Sequence, residues 1–151
     1  MKYIFGKEKI FNDEFSKLGF KDVIRWDVVD IKENQELNLE FISINSKYKQ
    51  GIRLAIDVGE GFIEVNGVKS KGIQLWEDTC PKKVKIRCMS SEGKLSIYNI
   101  FDIGPERGGV KSQVDSSGMI VEQEGNKMIY KCNDVGFQTN FDKLIFEIEL
   151  L

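Results

Sequence analysis

The side chains in this sequence best able to do chemistry are carboxylates and carboxamides, gathered in three polar connectors. Glu77 and Asp78 stand in the first, Asp102, Glu106 and Asp115 in the second, and Asp134 and Asp142 in or beside the third. Asn133, Gln138 and Asn140 add amide oxygens to the third, and Arg107 adds a guanidinium to the second. An oxygen-rich set of this kind suits a hard cation such as calcium, or a polyhydroxylated ligand. The same residue types also form turns by bonding their own backbone, so a purely structural role stays open. No calcium-loop spacing is present. Trp76 adjoins Glu77 and Asp78, and Tyr98 lies in the segment feeding the second connector. An indole beside amides and carboxylates can stack on a sugar ring, or it can cover the rim of a core.

The chain has no histidine among its 151 residues, which removes Ser-His-Asp and Cys-His catalysis, His-ligated zinc and imidazole switching. A carboxylate pair could still hydrolyse a glycoside. The run Gly104-Pro105-Glu106-Arg107-Gly108-Gly109 lacks the Lys-Ser/Thr of a phosphate loop, and there is no nucleophile elbow. A protein that is not an enzyme is therefore expected. The 22 basic residues against 24 acidic ones leave a net charge of −2, so no overall field recruits nucleic acid or anionic lipid. The stripe Lys82, Lys83, Lys85 and Arg87 is too short for a nucleic-acid footprint and reads as a solvated face that could meet an acidic partner. Cys80, Cys88 and Cys132 form an odd set without a CxxC pair, which favours reduced thiols over disulfides or zinc. Charges interrupt the opening Met1–Lys9 segment before a signal-peptide core can develop, and no apolar run approaches the ~20 residues of a membrane span. A cytoplasmic protein without membrane contact is expected.

These side chains must be positioned by strands, because period-two alternation dominates the sequence. Leu144, Phe146, Ile148 and Leu150 alternate with charged residues, as do Ile52, Leu54, Ile56 and Val58, and Val84, Ile86 and Cys88. Further strands are predicted near 23–31, 37–45, 61–66, 68–75, 94–101, 118–124 and 127–133, about ten in all. Tight turns are expected at Asn66-Gly67, Ser90–Gly93 and Gly125-Asn126. One short helix is predicted over 11–18, with Asn12 or Asp13 as its cap, Phe11, Phe15 and Leu18 on one face, and Gly19 as its stop. The composition, 41% apolar and 30% charged, is that of a water-soluble globular chain with one core. The expected fold is a single-domain antiparallel β-sandwich of jelly-roll type over 1–151.

If chain direction reverses at each successive strand, the connectors 77–82, 102–117 and 133–140 all fall at one end, and the tight turns fall at the other. The second connector, about sixteen residues long, exceeds the usual range and is of a length more often functional than merely connecting.

Ser117–Glu122, Ile129–Asp134 and Phe141–Phe146 together resemble segments of a group of small uncharacterised bacterial β-sandwich proteins, over about a third of the chain. The last connector also resembles, distantly, the acidic ending Asp-Phe-Asn-Asp-Leu-Val of some extracellular bacterial β-domains, a resemblance that implies calcium binding. Here Lys143 stands at the second acidic position, and Thr139-Asn140 precedes Phe141.

The expected function is a non-enzymatic binding or interaction module, for instance an immunity or accessory protein. It would use Trp76, Glu77, Asp78, Tyr98, Asp102, Arg107, Asn133, Asp134, Asn140 and Asp142 to hold a small polar ligand or a protein partner. A lectin-like sugar- or calcium-binding module is the alternative, and a carboxylate-dependent hydrolase a third. Exposed strand edges are compatible with a homodimer.

Overall fold

The computed structural model describes residues 6–151. A short strand β1 (Ile10–Phe11) and a 3-10 turn over Asp13–Leu18 precede β2 (Ile24–Asp30), β3 (Gln35–Ile44) and β4 (Lys49–Ala55). Then come β5 (Gly61–Val65), β6 (Val68–Ser70), β7 (Gly72–Trp76), β8 (Lys83–Ser90) and β9 (Lys94–Asp102). A second 3-10 turn, Pro105–Arg107, leads through β10 (Val110–Lys111) to β11 (Gly118–Glu124), β12 (Lys127–Asn133) and β13 (Leu144–Leu150).

The fold is nearly all antiparallel β, as the alternation implied. Its strands run β6-β5-β8-β3-β13-β12-β11-β2-β9-β4-β7, with β1 beside β2 and β10 beside β9. The arrangement is a nearly closed sheet, barrel-like rather than clearly a jelly-roll sandwich. Closure comes from a segment the alternation read as one strand, 68–75. The structure divides it at Lys71: β6 pairs with β5, whereas β7 pairs with β4, so consecutive residues hold the two ends of the sheet order. Ser70 Oγ donates to Gly72 O at 2.9 Å and Ile56 N donates to Lys71 O at 2.8 Å, fixing this corner. A strand that exchanges partners at a bend is how a sheet turns a corner.

The inward positions are the apolar ones of the alternating runs. Leu37 and Leu39 of β3, Ile52 and Leu54 of β4, Tyr130 and Cys132 of β12, and Leu144, Phe146 and Ile148 of β13 are all fully buried in one core. β9 differs, because Leu95 to Phe101 is buried without a break, covered on both faces. Phe15, Val23 and Phe141 form a smaller cluster beneath the first 3-10 turn. Asn12 caps that turn, its side chain accepting from Glu14 N, and Gly19 ends it in the left-handed region at φ 90°. The predicted apolar face is narrower than expected. Phe15 alone is buried, Leu18 is exposed, and Phe11 lies outside the turn in β1.

Asn66 and Gly67 both take positive φ, 51° and 78°, as a primed two-residue hairpin requires. This hairpin lies beside Lys85 and Arg87 on the flank of the barrel, so the tight turns do not all share one end. Among the described residues no helix is long and apolar enough to cross a membrane.

Candidate functional site

The three polar connectors converge at one end of the barrel, joined there by a fourth, the β3–β4 loop at 45–48. β3 runs antiparallel to β8 with Glu40 opposite Lys83, so it finishes where β8 begins. β4 then starts with Lys49 opposite Asp102, where β9 ends. The four loops are tied together by side chains. Arg107 Nη1 donates to the Tyr48 hydroxyl at 3.0 Å, Ser46 Oγ donates to Asp134 Oδ2 at 2.5 Å, and Lys49 Nζ sits 3.4 Å from Asp78 Oδ1.

Between the β3–β4 loop and the β12–β13 connector lies a cleft of about 610 Å³. Ile44, Asn45, Ser46, Lys47 and Tyr48 form one wall, and Asp134, Val135, Gln138 and Lys143 the other. Clefts of this size are in the range of small-molecule sites. Asp134 is its most constrained member. It is only 2% exposed, and its Oδ2 accepts from both Ser46 Oγ and Gln50 Nε2, the latter at 3.0 Å. Gln50 also donates to Tyr48 O at 3.2 Å, and Tyr48 N donates to Ser46 Oγ at 3.1 Å, so the loop folds around the carboxylate. Both partners are neutral. Among the described residues no lysine or arginine forms an ion pair with Asp134, although a buried carboxylate is costly without a countercharge.

The other residues singled out from the sequence take varied positions. Asn133 is fully buried, and its Nδ2 donates to Gly136 O, Gln138 O and Ser116 O, shaping the connector from behind. Asp142 does not line the cleft, but its Oδ2 accepts at 2.8 Å from Asn45, which does. Asp102 accepts from Gly104 N at 2.9 Å and so caps its own loop. Trp76 and Asp78 share Lys49, whose ammonium lies 4.8 Å from the indole centroid. Glu77 faces a separate shallow groove with Ile42, Ser43, Cys80 and Lys82. Asn140 is exposed and does not line the cleft.

Tyr98 belongs elsewhere in the fold. It is 8% exposed, stacked on Trp26 at 4.8 Å between centroids, and set opposite Arg53. Burial chiefly raises its phenol pKa above the ordinary value, and Arg53 partly offsets this. Its place in the middle of a strand covered on both faces explains why it does not reach the loop end.

The sequence reading missed Asn45, Ser46, Lys47, Tyr48 and Gln50. The signal was available, because the same reversal of direction that grouped the other connectors also sends the end of β3 to this pole. Among the described residues no group of three or more acidic or cysteine side chains is placed to hold a metal ion. Cys88 and Cys132 are buried and Cys80 is partly so, and all three are free thiols. Compared with protein-family models, curated proteins and solved structures, the chain matches none.

Proposed function

We propose that this protein is a non-enzymatic binding module that takes a small polar ligand in the cleft between the β3–β4 and β12–β13 loops. The supporting observation is Asp134, a buried carboxylate that lines the cleft and is braced by two neutral donors without a cation. Its Oδ2 is committed to the fold, whereas its Oδ1 accepts no hydrogen bond from the described residues and remains for a ligand. The loops holding it stand on strands of a nearly closed sheet, which limits the reorganisation needed on binding. Three free thiols suit a reducing compartment, so we assign the module to the cytoplasm.

Thermal melts against a panel of polar metabolites test the reading. A ligand at a hundred times its Kd adds ~2.7 kcal/mol to stability. The gain should vanish in Asp134→Asn, whereas a shift kept by that variant, or no shift with any compound, counts against the cleft. A protein partner is the second reading, favoured by Val135 and Phe137, which are exposed on the β12–β13 connector.

A further inference from the structure

The charges around the cleft narrow the ligand class, an inference that rests on the ligand-binding reading above. Asp134 Oδ1 has no hydrogen bond, and the Gln50 amide that braces Oδ2 carries a buried Oε1 that also lacks a donor. Of these, Asp134 Oδ1 belongs to a residue lining the cleft and lacks the hydrogens that a cationic donor would bring. One of the cleft's two cations is also unmatched. Lys47 forms no ion pair with a carboxylate among the described residues, its ammonium lying 5.2 Å from the Tyr48 ring centroid. Lys143, by contrast, is paired, its Nζ lying 3.7 Å from Asp142 Oδ1, while Asp142 Oδ2 is taken by Asn45.

A ligand of one sign would leave one of these charges uncompensated. A plain metal cation would answer Asp134 but meet Lys47 across the same cleft, and an anion would do the reverse. We infer that the ligand is a small zwitterion, a free amino acid or short peptide. Its primary ammonium lies on Asp134 Oδ1 and its carboxylate faces Lys47. Charge-assisted hydrogen bonds at both ends would orient it, and Asn45, Tyr48 and Gln138 offer polar contacts between them.

The test uses alanyl-alanine, its N-acetyl form and its C-terminal amide, titrated calorimetrically into the full chain. The free dipeptide is expected to bind. Loss of the ammonium should weaken binding by about tenfold to a hundredfold, the usual worth of a hydrogen bond to a charged group. The amide should weaken less, because lysines at a rim are solvated. Lys47→Met should erase the difference between free dipeptide and amide without altering the loss caused by acetylation. Equal affinity for the free and acetylated dipeptides overturns the zwitterion. So does silence towards all three probes when neutral polyols or calcium bind, an outcome that leaves the cleft reading intact. Silence towards every small molecule overturns both. These comparisons are made on the unaltered protein, so they stand whether or not a cleft variant folds.

Discussion

Tyr130 donates a 2.7 Å hydrogen bond to Asp27 Oδ2, and both residues are fully buried. Lys9 Nζ reaches the other oxygen of the same carboxylate at 2.5 Å. On the strand that carries Asp27, pairing with β11 is limited to the single pair Met119–Ile24. Tyr130 also stacks on Phe146 at 4.6 Å and holds its proton well above the ordinary phenol range, through burial and then the neighbouring carboxylate.

Tyr130→Phe keeps the ring packing and removes the donor. The buried Asp27 carboxylate then has Lys9 alone, at an expected cost of ~1–3 kcal/mol. Urea denaturation measures it. A midpoint unchanged from the parent would show that Lys9 by itself satisfies the carboxylate.

The thiols give the fold an alkaline limit. Burial pushes Cys88 up to about 12 and Cys132 well above its ordinary value. Below the ordinary thiol pKa of ~8.5 both states keep these protons, so nothing is lost there. Above it the unfolded chain releases protons that the folded chain retains, and stability falls by up to ~1.4 kcal/mol per pH unit for each thiol. For Cys88 that fall continues until about 12. Urea midpoints taken from about pH 8 upwards should decline steadily. In the native protein at about pH 8, a thiol reagent should label Cys80 first and reach the other two only on unfolding. Labelling of all three at one rate would refute their burial.

Gly51 is packed against Trp76. A Cβ at residue 51 would lie 2.7 Å from Trp76 Cε3 and 2.9 Å from Leu75 O, across the β4–β7 pairing. Gly51→Ala should therefore cost ~1–3 kcal/mol as an overpacking substitution. It should also move the indole, read as a change in tryptophan fluorescence. Unaltered emission and stability would show that β7 shifts away freely.

Ser46 joins two loops by donating to Asp134 and accepting from Tyr48 N. Ser46→Ala removes both bonds, at ~1–3 kcal/mol. The loss should be local, so amide exchange should quicken at 45–48 and 133–138 while β9 keeps its protection. Uniform acceleration across the barrel would make the pin a global support instead.

The strands were legible where one face is buried and the other wet, as in β13 and β8. Asn66-Gly67 was legible because few other residue pairs accept positive φ twice. Closure was not, since it depends on pairings between distant segments such as β3 with β13 and β2 with β9. Alternation reports which side chains share a face and says nothing of where a strand changes neighbours, so the break at Lys71 was hidden. β1 and β10, two residues each, are too short to carry a period. Of the candidate site, the convergence of the acidic connectors followed from chain direction alone. The brace around Asp134 did not, because Ser46 and Gln50 are ordinary polar residues until the β3–β4 loop closes on them.

An amide-resolved NMR titration with the dipeptide probe tests the binding role of the cleft most directly. Shift changes should concentrate at 44–48, 134–138 and 143, and should leave Ile31, Phe62 and Ser90–Gly93 at the opposite end unmoved. Perturbations centred on that opposite end, with the Asp134 region unchanged at saturation, would contradict it.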